Sequence, residues 1–133
     1  MTDTTSTPTP ILQAPVLPGD ADRDRSLPMH CKVERRIVWN LLTKLSAAGF
    51  EVVAVDDGDE TTKCADNMAA MEAIFVVSDC YLYVRKQGRR GKAHNRYIKL
   101  VGGNGEDIIS DYSADNTDGF EAFMQSFDPC VNW

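Results

Sequence analysis

The chain has 133 residues, 43% hydrophobic and 26% charged, the length and composition of one ordinary globular domain and not of a fibrous or wholly disordered chain. Twenty acids against fourteen cations leave a formal net charge of −6 at pH 7, so the molecule as a whole repels polyanions at long range. No stretch approaches the roughly eighteen apolar residues of a membrane span, and four scattered cysteines without a C-x-x-C pair predict reduced thiols, two or three of them buried.

Residues 1–28 hold five of the six prolines, many small polar residues and no aromatic. Such a segment buries too little apolar surface to offset the entropy of its own ordering, and it reads as a disordered or loosely attached arm. It has no basic n-region, and Ile11 to Pro18 is too short and proline-broken for the apolar core of a secretion signal. The folded unit is then 29–133, with the cytoplasm as its expected compartment.

From Met29 to Ala48 the residues Val33, Ile37, Leu41 and Leu45 recur every four positions, with Lys32, Arg35, Arg36, Asn40 and Lys44 falling on the other side. This spacing predicts an amphipathic helix, with Pro28 suited to its first turn and Gly49 to its end. FEVVAV, Phe50 to Val55, predicts a strand, and DDGDE after it an acidic turn that needs no ligand. Ala65 to Val77 predicts a second helix, although its β-prone last turn could equally be strand. Cys80–Lys86 and Arg96–Val101 alternate as strands joined by the loop QGRRGKAHN, and GGNG predicts a tight turn into a strand over Glu106–Tyr112. Phe120, Phe123, Met124 and Phe127 give a last helix over Asp118–Phe127, with Asp118 as N-cap and Pro129 as stop. The order α-β-α-β-β-β-α implies an α+β fold, a small antiparallel sheet with helices packed on one face.

GGNGEDIISDY, with YIKLV before it and AIFVVSDCYLYVRK earlier, resembles small uncharacterised proteins of proteobacterial phages, prophages and plasmids, which carry a Gly-Asn turn followed by an Ile-x-Asp-Tyr strand. Gly103, Asn104, Ile109, Asp111 and Tyr112 match that pattern, and the similarity spans roughly residues 35–115. The resemblance implies a setting, mobile DNA in a bacterial host cell, and no activity.

Signatures of chemistry are missing. His30, Cys31, Cys64, Cys80, His94 and Cys130 offer only one close pair, and adjacent residues chelate zinc poorly, so no metal is expected. There is no G-x-S-x-G, no H-E-x-x-H and no phosphate-cradling loop, and His94 sits on a loop of mobile composition, so neither an enzyme nor a cofactor is expected.

The informative feature is VRKQGRRGKAHNRYIK, residues 84–99, which gathers seven of the fourteen cations and no acid. The remainder carries seven cations against twenty acids, a balance of −13. Arg85, Arg89, Arg90, Lys92, Arg96 and Lys99 are therefore the candidate partner-binding residues, directed at an acidic surface on a protein, from host or phage, or on a second copy of this chain. Alternation also puts Tyr81, Tyr83 and Arg85 on one face of their strand and Tyr97 and Lys99 on the same side of the next. That tyrosine-bearing face, with the basic hairpin 85–99, supports the alternative of a nucleic-acid-binding module that stacks bases.

The composition of the arm generates a test. A chain beginning at Leu27 is expected to keep the thermal midpoint of the full chain within a few degrees, whereas a large loss would show that Ile11, Leu12, Val16 and Leu17 dock on the domain.

Overall fold

The computed structural model describes residues 29–115 and 117–129; the arm over 1–28 lies outside the described residues, as does Cys130. Helix α1 (Met29–Ala47) leads into strand β1 (Phe50–Asp56), a hairpin returns as β2 (Thr61–Lys63), and α2 (Asn67–Ile74) follows. Strands β3 (Asp79–Lys86), β4 (Arg96–Val101) and β5 (Ile109–Tyr112) then form a meander before α3 (Phe120–Ser126). The five strands make one sheet in the order β2-β1-β3-β4-β5, every neighbouring pair antiparallel. This is the α+β architecture expected of the sequence, with one strand more.

The inner face is set by strict alternation. Leu82 and Val84 of β3 and Ile98 and Leu100 of β4 are buried, and they share one core with Ile37, Val38, Leu41, Leu42 and Leu45 of α1. The Val52–Val84 and Ala54–Tyr83 pairings bracket a bulge at Val53, which re-phases β1 so that Phe50, Val52 and Val55 all turn inward. Phe120 is fully buried and meets the rings of Phe50 at 5.9 Å and Tyr112 at 6.3 Å, so α3 closes the end of the core.

Strand β2 was not expected: TTK has no apolar alternation and adjoins an acidic turn. It pairs because that turn is closed by its own carboxylates. Asp56 accepts from the Gly58 amide at 2.8 Å and the Thr61 hydroxyl at 3.0 Å, while Asp57 accepts from the amides of Asp59 and Glu60, both at 2.8 Å. Those amides hold the Asp57 carboxyl below its ordinary 3.8.

Helix α2 is shorter than predicted, running from its cap at Asp66, which accepts from the Ala69 amide at 2.9 Å, only to Ile74. The β-prone residues after it form a turn and not a strand. Residues 105–107 are a 3₁₀ turn, so β5 begins at Ile109 and not at Glu106. Helix α3 begins at Phe120, one residue later than a cap at Asp118 would place it, because Gly119 is left-handed at φ 85°; the Asp118 carboxylate still accepts from the Phe120 amide at 3.0 Å.

Two residues of α1 depart from their expected place on the solvent side. Arg35 and Asn40 are buried, as is Glu34. Helix α1 packs on the sheet and also against α2 and the 3₁₀ turn, so part of its polar side is covered while Arg36 stays exposed: Arg35 lies 5.1 Å over the Phe75 ring, and Glu34 accepts from the Gly105 amide at 2.6 Å.

At Gly102 the α2–β3 turn passes so close that an added Cβ would lie 2.7 Å from the Ser78 carbonyl oxygen. Gly102→Ala is therefore expected to lower stability by about 1–3 kcal/mol, and Phe120→Ala by about 3–5 kcal/mol through the cavity it leaves, both read by chemical denaturation.

Candidate binding face

The face of the sheet away from the helices carries Glu51 and Asp56 from β1, Lys63 from β2, Tyr81, Tyr83 and Arg85 from β3, Tyr97 and Lys99 from β4, and Asp111 from β5, as the register dictates. The three candidate tyrosines do share this face. Tyr81 and Tyr97 meet edge to face at 5.6 Å, and the Lys99 ammonium lies 5.6 Å over the Tyr81 ring. The Tyr97 hydroxyl donates to Asp111 at 3.3 Å. Burial, and then the Asp111 charge, hold the Tyr97 phenol above its ordinary 10.0. Tyr83, opposite Tyr97 across the β3–β4 pair, stands in the wall of a groove of about 960 Å³ that also takes in Glu51, Asp56, Lys63, Arg85 and Lys92.

The seven cations of residues 84–99 divide into two groups. Arg85 donates from Nε to Glu51 at 2.9 Å across the β1–β3 pair. Lys86 donates to the Ala48 carbonyl at the end of α1 at 2.9 Å and lies 4.8 Å over the Phe50 ring, where a cation complements the helix C-terminus. Lys99 is held over Tyr81.

Arg96 is not with the others on the surface. It is 6% exposed, and its side chain turns inward. Its Nε lies 3.1 Å from Asp118 Oδ2, out of line for a directed hydrogen bond, so charge holds the pair; a terminal nitrogen lies 3.4 Å from Asp115. The same guanidinium donates to the carbonyls of Ala93 and Asn95 at 3.0 and 3.2 Å and thereby braces the base of the basic loop. A desolvated guanidinium needs such partners, which is why Arg96 falls on the inner register of β4 beside Ile98.

The second group is Arg89, Arg90 and Lys92. All three are exposed at the hairpin tip, and among the described residues none makes a side-chain hydrogen bond, ion pair or ring contact. Gly88 and Gly91, at φ 87° and 95°, turn the backbone on either side of the arginine pair.

Of Gly103, Asn104, Ile109, Asp111 and Tyr112, only Asp111 lies on the tyrosine face, bonded to Tyr97; the other four serve the β4–β5 turn and the core. Gly103 supplies the positive φ of 89°, Asn104 sits at −101° and donates to the Val101 carbonyl at 3.3 Å, and Ile109 and Tyr112 pack on the core. Beside that turn is a cavity of about 350 Å³ lined by Glu34, Arg35, Phe75, Ser78 and Cys80, among others. Burial pushes the Cys80 thiol up to about 12, and burial also raises Cys64, so neither is a ready nucleophile.

Comparison with protein-family models, with curated proteins and with solved structures gives no match for this chain. Among the described residues no group of three or more His, Cys, Asp and Glu side chains is placed to hold a metal ion, and no helix is long and apolar enough to cross a membrane. The side chains of His30, Cys31 and Cys130 lie outside the described residues. Sequence reasoning did not find Glu34 or the Arg96 clamp; the acids Asp115 and Asp118, some twenty residues after Arg96, carry no local signal of pairing.

Removing Arg96 strands a nearly buried carboxylate. Arg96→Ala is expected to cost about 3–5 kcal/mol, far more than any tip cation. The Thr117 amide, then its hydroxyl, with help from Arg96, hold Asp115 below its ordinary 3.8. A depressed carboxyl contributes stability that is complete above its unfolded value and lost as pH falls through its lower folded value. Melting stepped downward in pH should therefore show the wild-type midpoint falling more steeply below 3.8 than that of Asp115→Asn.

Proposed function

We propose that this is a small binding protein, without catalysis, that uses the tip cations Arg89, Arg90 and Lys92 to dock on an acidic surface of a protein partner. The observation that carries this is the division of the basic segment. Arg85, Lys86, Arg96 and Lys99 are engaged within the fold, while the three tip cations have no partner among the described residues. A protein surface of mixed charge suits a chain whose remainder is strongly acidic, since such a chain approaches a polyanion unfavourably. The resemblance to phage and plasmid proteins sets this activity in a bacterial cytoplasm, against a host or phage component.

The second reading, a nucleic-acid module, draws on the tyrosine face. Against it, Glu51, Asp56 and Asp111 lie on that face, and Tyr81 and Tyr97 already pack on each other. The triple variant Arg89→Glu, Arg90→Glu, Lys92→Glu should melt within about 1 kcal/mol of wild type, because lone surface charges contribute little. It should lose the partners that wild type captures from a nuclease-treated bacterial lysate. Titration with labelled single- and double-stranded oligonucleotides at about 0.15 M salt should give only non-specific affinity, near 10⁻⁴ M or weaker. Micromolar binding that the variant loses would replace the protein partner with nucleic acid.

A further inference from the structure

Strand β2 is the outermost strand on its side of the described sheet, and all three of its residues are exposed. Its backbone bonding follows from parity. The Asp57 amide donates to the Glu60 carbonyl at 3.1 Å, the Cys64 amide donates to the Val53 carbonyl at 3.0 Å, and Val55 faces Thr62 between them. In an antiparallel ladder successive residues turn their amide groups alternately toward and away from the neighbouring strand. Residues 60, 62 and 64 thus face β1. Thr61 and Lys63 turn theirs outward, toward no described strand.

A groove flanks this edge on each face. On the open face, the groove of about 960 Å³ places Lys63 of the edge and Lys92 of the tip around one space with Asp56, the Arg85–Glu51 pair and Tyr83. On the helix face, a groove of about 410 Å³ beside Thr62 is lined by Val55, Ala73, Val76 and Val77 together with the acids Asp57, Glu60 and Glu72, and Val76 is 75% exposed. A strand laid along β2 would turn its side chains alternately to the open face, where Lys63 of the edge and Lys92 of the tip stand, and to the helix face, where Val76 and Val77 stand and the acids Asp57, Glu60 and Glu72 disfavour a carboxylate.

We propose that the free edge of β2 accepts an extended segment of the partner by strand addition, the segment carrying acidic residues on the open-face side and aliphatic residues on the α2 side. This rests on the reading that the tip docks on an acidic protein surface, and it names the form that surface takes. The tip supplies charge and the edge supplies backbone hydrogen bonds, which is the division of labour of strand-addition recognition. Shortness and an outward lysine are also what keep an edge from pairing with its own copies. An acidic side chain opposite Lys63 neutralises it, whereas a second β2 brings only further cations to this edge.

The test uses the full chain and a short fluorescein-labelled peptide of alternating glutamate and valine, followed by anisotropy at about 0.15 M salt, where surface charge is screened beyond about 8 Å. The probe should bind and slow amide exchange at Thr61 and Lys63. Thr61→Pro deletes one outward donor at the first residue of an edge strand, where proline is tolerated, and should weaken binding about fivefold. N-methylation of alternate probe amides should do the same, and it decides the matter if the proline variant does not fold. A probe with lysine in place of glutamate should not bind. Binding that is indifferent to N-methylation and leaves exchange at Thr61 and Lys63 unchanged would overturn strand addition while sparing the acidic-surface reading. No binding at millimolar probe would also overturn it. Conversely, β2-protecting binding that survives Arg89→Glu, Arg90→Glu, Lys92→Glu would support the edge and defeat the tip.

Discussion

A guanidinium withdrawn from water at the start of a strand must be met by carboxylates, and Arg96 organises much of this molecule through that requirement. Its ion pairs with Asp118 and Asp115 fix the path from β5 to α3 and so deliver Phe120 into the core. Its bonds to the Ala93 and Asn95 carbonyls fix the other side, the base of the basic loop. One side chain thus couples the closing helix to the loop that carries the unpaired cations. The buried pair is costly to assemble and more costly to break, which favours a single arrangement of these segments.

The clustering of cations in an acidic chain follows from two separate demands. Four of the seven serve the fold: one crosses a strand pair to Glu51, one completes the end of α1, one is buried, and one covers a tyrosine ring. These are jobs for long, charged side chains with apolar stems, which cover apolar surface while their heads find partners. The other three stand on a turn with glycine on either side of the arginine pair, where the backbone is committed but the side chains are not. Only this second group leaves charge to be satisfied from outside.

The open face of the sheet shows the same economy. Tyr81 and Tyr97 stabilise one another, with Lys99 above and Asp111 at the hydroxyl, so most of their capacity is already used within the sheet. Tyr83 and the groove beside it differ, because the short β2 leaves space between the edge and the basic loop. The DDGDE turn, which closes on its own carboxylates, brings β2 into that position.

The sequence by itself determined the apolar stripe of α1, the alternation of β3 and β4, the sharing of one face by Tyr81, Tyr83 and Tyr97, and the placement of the tip cations on a glycine-bounded turn. These follow from periods of two and of about 3.6 residues, which are local properties of the chain. Tertiary structure alone decided the rest. Strand β2 exists because β1 lies beside it, not because TTK prefers to be extended. Arg35 and Asn40 are buried because α1 is packed on more than one side, and a periodic pattern marks only the most apolar of a helix's faces. Arg96 looked like one more surface cation because its acids lie far along the chain. Burial of charge is settled by where the partners are in space, and spacing in sequence does not carry that information.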